Sequence, residues 1–409
     1  MTRKGSGLFR HAASIFWLGL AEAAVRGGNV VLQFLLARAL GRGQYGVFAY
    51  AFSLAMILVP AGGIGLLEAL VRRGAHEEGV AAALSEFFPL RVGSALATLA
   101  VLAVVSRTHP ADASVVLVVG LFALFRALTA FLAASFRAAE VIWKEFAVRC
   151  GEAAALLTVA FASIRFRPGL VPVSSILAGA AGLFFFLTLG AFRRFFPGLT
   201  WRWPRAWAAA LVRAAPLGLP ALMGILLLRT DVVLIRQLTG DASATADYAA
   251  AVNLVLGLGL VPVTISAALF PALSRKRRVS GRVLAAGATG FLALGGALAF
   301  LLSTLAPRIV RLAYGSEFDS AAKIVATLSP FLVFLAPTVF AATVLASRNA
   351  AGSLALLALV PLGLKVGVDF ALLPAGLARV PLSSTVLQAA ALAGSFVLLT
   401  LSQRRADFL

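Results

Sequence analysis

Long apolar runs, separated by short polar links, fill almost the whole chain. Twelve of them are each close to the ~20 residues that a helix needs to cross the hydrocarbon core of a bilayer. They cover residues 13–37, 46–70, 84–105, 113–136, 146–164, 170–192, 207–235, 247–272, 283–306, 321–346, 350–373 and 381–402. The pattern predicts an all-α polytopic membrane protein with about twelve transmembrane helices.

The composition supports this prediction. Of the 409 residues, 61% are hydrophobic and 13% are charged, and the mean hydropathy is +0.97. A soluble chain of this length could not bury so much apolar surface. The net charge of +20 does not indicate nucleic-acid binding, because the Lys and Arg residues are scattered over many links and form no single face.

The basic residues instead predict an orientation in the membrane. One side of the predicted spans carries about twice as many as the other, and links 193–206 and 273–282 are the richest. Since cytoplasmic links carry the excess of Lys and Arg, both termini are expected in the cytoplasm.

A sequence repeat relates the two halves of the chain. The stretch around Arg38 (LLARALG) resembles that around Arg236 (VLIRQLTG), and Tyr45 aligns with Tyr248 after a gap of five residues. Repeats in the same order predict two lobes of equal topology, related by a pseudo-twofold axis along the membrane normal, with the substrate site between them.

The repeat predicts where the lobes begin and end. We expect one six-helix lobe over residues 1–195 and a second over 207–409. A basic cytoplasmic linker, rich in Pro and Trp, joins them at 196–206 and is expected to lie on the inner leaflet.

Polar side chains form a stripe in the first predicted span. Glu22, Arg26, Asn29 and Gln33 are spaced i, i+4, i+7 and i+11, which places them on one helix face. A charge at the bilayer centre costs roughly 3 kcal/mol or more. The stripe is therefore expected to face protein or water and to line a polar path.

Other predicted spans also carry charges: Arg126, Arg229, Asp231, Lys365 and Asp369. Two interpretations stay open. The pairs spaced i, i+4, Glu22 with Arg26 and Lys365 with Asp369, could neutralise each other as structural ion pairs. Alternatively these residues line a cavity, where arginine suits a phosphate ligand because its planar fork donates two hydrogen bonds and keeps its charge.

Signatures of enzymes and cofactor sites are missing from the sequence. It has no GxxxxGK[ST] loop, HExxH motif, Cys/His cluster or nucleophile elbow, and its single cysteine, Cys150, excludes an internal disulfide. We therefore expect no enzyme activity, no catalytic residue, no cofactor and no metal.

Several segments resemble one transporter family. LARALGRGQYGVFAYAFSL at 36–54, the block over 226–275, LAPRIVRLAYGSEFDSAAKIVATLSP at 305–330 and ASRNAAG at 346–352 are similar to Wzx-type polysaccharide repeat-unit flippases of the MOP exporter superfamily. The resemblance implies a two-lobed, twelve-helix fold in the bacterial cytoplasmic membrane. It also implies transfer of undecaprenyl-diphosphate-linked oligosaccharides from the inner to the outer leaflet by alternating access through a cationic cavity.

The resemblance has further implications for partners. Membrane lipid and the lipid-linked oligosaccharide are expected ligands, a polysaccharide polymerase and glycosyltransferases are expected neighbours, and coupling to H+ or Na+ stays open. Superfamily relatives for the peptidoglycan lipid usually have fourteen helices, which disfavours that substrate. The alternative is a cation-coupled multidrug or metabolite exporter, which predicts acidic residues in the cavity. Asp231, Asp369 and Glu22 favour it, whereas the excess of arginine counts against it.

Overall fold

Helices account for almost all of the computed structural model, as expected when a backbone in hydrocarbon must satisfy its hydrogen bonds within each segment. The structure describes residues 3–76, 79–166, 169–196, 207–274, 280–347, 364–365, 367–368 and 380–407. We label the helices α1 (Arg3–Gly62), α2 (Leu66–His76), α3 (Val80–Val105), α4 (Ala113–Ala138), α5 (Ile142–Phe166), α6 (Leu170–Phe195), α7 (Trp207–Thr239), α8 (Ala242–Ser274), α9 (Gly281–Ala313), α10 (Ala321–Leu328), α11 (Phe331–Ser347) and α12 (Val380–Asp407).

The predicted all-α, multi-pass class is confirmed. Within the described residues, eight helices are long and apolar enough to cross a membrane, or nine if α10 and α11 form one bent span. The predicted span 350–373 lies almost entirely outside the described residues, as does most of the predicted linker 196–206. The count of twelve spans therefore stays a prediction.

Glycines break the helices of the first two predicted spans. Gly41 interrupts α1 with a φ of 71°, which separates the predicted spans 13–37 and 46–70. The prediction that 46–70 is a single span is wrong, because α1 ends at Gly62 and α2 begins at Leu66. Gly65, at a φ of 72°, makes the turn between them, and a Cβ there would lie 1.7 Å from the Ala214 carbonyl oxygen.

A proline marks the break between α10 and α11. The two helices are bent by 45° at Ser329–Pro330, where proline removes a backbone donor. Pro337, by contrast, lies inside α11, which continues through it to Ser347.

The first of two compact units covers Met1–Leu222. In it α4 packs against α1, α2, α3, α5 and α6. Phenylalanine rings fill much of its core: Phe88, Phe131, Phe136, Phe185 and Phe192. Close packing of α1 against α3 depends on glycine, because a Cβ at Gly62 would lie 2.3 Å from Thr98 Oγ1.

The second unit covers Met223–Leu409. Here α11 packs against α8, α9 and α12. Its core includes Phe291 and Phe340, whose rings stack with centroids 5.1 Å apart, together with Val344 and Leu399.

Candidate functional site

Glu22 joins two arginines in the first unit. Its Oε1 accepts a hydrogen bond from Arg26 Nε at 2.6 Å, and its Oε2 accepts one from Arg149 Nη1 at 2.9 Å. The first contact is the predicted i, i+4 pair within α1, and the second reaches α5. The Arg26 side chain is 44% exposed and that of Glu22 is 37% exposed, so both are accessible from outside the unit.

Arg126 meets the same face of α1 from α4. Its Nη1 donates to Asn29 Oδ1 at 2.6 Å, its Nε lies 3.7 Å from Glu152 Oε1, and its guanidinium lies 5.4 Å from the centre of the Phe122 ring. Neither Arg126 Nε nor Glu152 Oε1 has a hydrogen-bond partner among the described residues. The Arg126 fork is therefore positioned by its surroundings and keeps a donor for another acceptor.

Two more residues extend this network toward the end of α4. Arg137 Nε donates to Glu145 Oε2 at 2.9 Å, and its Nη2 contacts Glu145 Oε1. Glu145 also lies 3.9 Å from Arg149. We call the complete set the arginine cluster: Glu22, Arg26, Arg126, Arg137, Glu145, Arg149 and Glu152.

The sequence identified only three members of the arginine cluster: Glu22, Arg26 and Arg126. Glu152 lies against Arg126, and Arg149 donates a hydrogen bond to Glu22. The i, i+4 spacing of Glu145 and Arg149 was a signal that could have identified α5 as a contributor.

Gln33 lies deeper in the first unit, apart from the exposed part of the stripe. It is 2% exposed, and its Oε1 accepts a hydrogen bond from Tyr45, which is fully buried. Its Nε2 has no hydrogen-bond partner among the described residues. The structure thus places Glu22, Arg26 and Asn29 in the polar network and Gln33 in the packed interior.

The second unit contains a buried ion pair between α7 and Lys365. Lys365 Nζ lies 2.6 Å from Asp231 Oδ1, and both side chains are 0% exposed. Lys365 also donates to Ser384 Oγ at 2.7 Å, Ser384 donates to Asp231 Oδ2 at 2.9 Å, and Tyr248 donates to the same oxygen. We call Asp231, Tyr248, Lys365 and Ser384 the lysine cluster. Asp369, the partner predicted for Lys365, lies outside the described residues.

Arg229 lies two residues before Asp231 on α7 and faces α8. It is 7% exposed, and its Nη2 donates to Asn253 Oδ1 at 2.8 Å. Like Arg126, it therefore has an asparagine amide oxygen as an acceptor. Asn253 and Ser384 are polar contributors that the sequence did not single out.

Arg91 is a buried arginine of α3. It is 7% exposed, and its Nη1 donates to the Val59 carbonyl oxygen at 3.2 Å. It fills the space beside Gly63, where a Cβ would lie 1.6 Å from Nη1. Arg91 therefore supports the packing of α3 on α1.

The chemistry of these groups suits the binding of an anion. Guanidinium forks bind carboxylates and phosphates with two parallel hydrogen bonds. Within the described ranges, no group of three or more His, Cys, Asp or Glu side chains could hold a metal ion.

Residues 11–276 match the family model described as "Polysaccharide biosynthesis protein". The chain belongs to that family. The predicted resemblance to Wzx-type members of the MOP superfamily is thereby confirmed, and MOP-type transporters are not typically enzymes. No curated protein matches the chain in sequence.

Solved structures of MOP superfamily transporters share the fold. An inward-facing multidrug resistance MATE family transporter aligns with a TM-score of 0.70 at 12% identity, over 96% of this chain and 99% of that one. An outward-facing MATE family transporter aligns with a TM-score of 0.65 at 14% identity, over 97% and 96%. A MOP superfamily transporter from Pyrococcus furiosus aligns with a TM-score of 0.61 at 16% identity, over 97% and 96%.

Proposed function

We propose that the protein is a flippase for an undecaprenyl-diphosphate-linked oligosaccharide, such as an O-antigen or exopolysaccharide repeat unit. It moves this substrate from the inner to the outer leaflet by alternating access. The observation that carries the proposal is the arginine cluster, in a chain that belongs to a polysaccharide biosynthesis family and has a transporter fold.

The substrate poses a physical problem that a cationic cavity solves. Its diphosphate and sugars cannot enter hydrocarbon without a large desolvation cost, while its lipid tail is stable there. Arg26 and Arg126 supply guanidinium groups to the diphosphate, with Asn29 as a further polar contact. A membrane potential that is negative inside adds ~2.3 kcal/mol per charge per 100 mV to outward movement of an anion.

Orientation is part of the proposal. We propose two lobes, 1–195 and 207–409, joined by the linker 196–206. Both termini then lie in the cytoplasm of a bacterial cell, because this orientation puts the links richest in Lys and Arg on the cytoplasmic side. A Ser280→Cys variant in a Cys150→Ser background should resist a membrane-impermeant thiol reagent in intact cells and react after lysis. Ready labelling of intact cells would reverse the orientation.

Export measured beside protein abundance tests the function. Arg26→Ala and Arg126→Ala should each lower glycan export about tenfold or more at normal abundance in the membrane, because each removes charge-assisted hydrogen bonds. Arg26→Lys and Arg126→Lys should restore export only in part, since lysine keeps the charge without the fork.

Arg311→Ala is the matched control for these variants. Arg311 is an exposed residue in the last turn of α9, and it pairs at 2.6 Å with Asp319 in the link between α9 and α10. Its removal should leave export unchanged. If both cluster variants export at the normal rate and abundance, the cationic-cavity mechanism is wrong.

A cation-coupled exporter remains the second candidate because of Asp231. It is a fully buried carboxylate, the kind of group that such an exporter uses to bind its cation, but Lys365 lies against it. The Pyrococcus furiosus transporter is described as having a binding pocket of reverse polarity that suggests a different function. In this chain, the positive charge of the arginine cluster does not suit cationic drugs.

A further inference from the structure

Glu22 occupies the position of an anion in the arginine cluster. Each of its two carboxylate oxygens accepts a hydrogen bond from a different arginine, on α1 and on α5. We propose that Glu22 competes with the diphosphate of the substrate for Arg26 and Arg149, and that Arg149 is a binding residue for that diphosphate. This inference rests on the proposed function and specifies how the substrate is released from its binding site.

The two carboxylates bound to Arg149 differ in their freedom to leave. Glu145 is 1% exposed and is held by both Arg137 nitrogens, with Arg149 only at 3.9 Å. The Glu22 side chain is 37% exposed, so its carboxylate is freer to move away from the arginines than the buried Glu145 carboxylate. Of the two, Glu22 is therefore the one that an incoming anion can replace.

The charge balance of the cluster favours this exchange. It contains four arginines and three glutamates, which leaves one positive charge uncompensated when Glu22 is bound. When Glu22 leaves, two guanidinium groups are freed and the ligand faces one more positive charge. A diphosphate offers more negative charge and more acceptor oxygens than one carboxylate, so it displaces Glu22 on binding.

Return of Glu22 to Arg26 and Arg149 promotes release of the substrate. A transport site must bind strongly enough to load and weakly enough to release. Arginines with no competing anion would hold a diphosphate tightly. A carboxylate that returns to the same two forks lowers the net affinity whichever side the site faces.

Ligand binding to purified protein tests the competition. Titration of farnesyl diphosphate into Glu22→Gln in detergent should give a Kd about threefold to tenfold lower than for the wild type, because the competing charge is gone. Arg149→Ala should raise the Kd about tenfold, as should Arg26→Ala.

Asp319→Asn is the matched control, and it should leave the Kd unchanged. Asp319 is also an exposed carboxylate that accepts a hydrogen bond from an arginine, Arg311. This hydrogen bond keeps the pKa of Asp319 below its ordinary value. A melting temperature measured in the same detergent reports whether each variant is folded. If Glu22→Gln fails to fold, Glu22→Asp replaces it; its shorter side chain cannot reach both arginines, so a Kd below that of the wild type is again expected.

The possible failures are distinguishable. A Kd for folded Glu22→Gln equal to or above the wild-type value overturns the competition, even if Arg26→Ala and Arg126→Ala abolish binding as the proposed function requires. Wild-type affinity in Arg149→Ala removes that residue from the site. No binding of farnesyl diphosphate by the wild type overturns both proposals together.

Discussion

The two units build the same contact with different charges. In the first, Tyr45 donates to Gln33, and in the second, Tyr248 donates to Asp231. Gln33 and Asp231 each lie five residues before the arginines that the sequence repeat pairs, Arg38 and Arg236. A neutral amide in one unit thus corresponds to an ionised carboxylate in the other.

The difference shows what a buried charge requires. Gln33 Oε1 accepts a hydrogen bond from the Tyr45 hydroxyl, while its Nε2 has no partner among the described residues. A neutral amide can be buried in this way because its burial costs far less than that of a charge. Asp231 is 0% exposed and has Lys365, Ser384 and Tyr248 around it, because an isolated carboxylate in this position would cost several kcal/mol. In the lysine cluster, two opposite charges lie in direct contact and both are fully buried.

In the first unit, by contrast, the charges of Glu22 and Arg26 are exposed. In the arginine cluster, Arg26 and Glu22 are 44% and 37% exposed, so their ion pair can open and exchange partners at little cost. We expect substitutions in the arginine cluster to affect mainly transport and substitutions in the lysine cluster to affect mainly stability. The predictions below test that division, beginning with the largest effect.

Removal of Asp231 should have the largest effect. Asp231→Ala removes the carboxylate that lies 2.6 Å from the fully buried Lys365 ammonium, which is expected to cost about 3–5 kcal/mol. Abundance in the membrane and the melting temperature in detergent should both fall sharply. Glu22→Ala, in the exposed pair, should change stability by only about 1 kcal/mol or less.

A double variant separates charge from packing in this test. Asp231→Met with Lys365→Met removes both charges at similar volume and should recover most of the stability lost in Asp231→Ala. Normal abundance of Asp231→Ala, or no recovery in the double variant, would contradict the structural role of the lysine cluster.

A smaller effect compares the two tyrosines directly. Tyr248→Phe removes a donor to a charged acceptor and should cost about 2 kcal/mol, whereas Tyr45→Phe removes a donor to a neutral amide and should cost about 1 kcal/mol. Melting temperatures of the two purified variants measure the difference. Equal losses would mean that the Asp231 charge does not strengthen its bond with Tyr248.

The sequence repeat is also visible in the backbone conformation of the two units. The helices that bear Gln33 and Asp231 end near Gly41 and Gly240, whose φ angles are 71° and 68°. Glycine adopts this left-handed conformation without the penalty that a Cβ imposes. Matching sequence segments therefore produced matching turns. The break of predicted span 46–70 was missed, because the apolar run continues across Gly62–Gly65 without a polar link.

The sequence by itself determined the class of the protein. Long apolar runs can only form helices in a bilayer, and charged residues within them must face protein or water, so the all-α membrane fold and the candidates Arg26 and Arg126 followed from local pattern. Family motifs along the chain predicted the superfamily, which the match over residues 11–276 confirmed.

Tertiary structure decided which charge meets which. Spacing of i, i+4 predicted Glu22 with Arg26 correctly. It could not indicate that Lys365 lies against Asp231, a residue on a helix far away in the sequence. Arg149 reaches Glu22 from a residue 127 positions away. Periodicity reports only the face of one helix, whereas an ion pair in a membrane forms between whichever helices pack together.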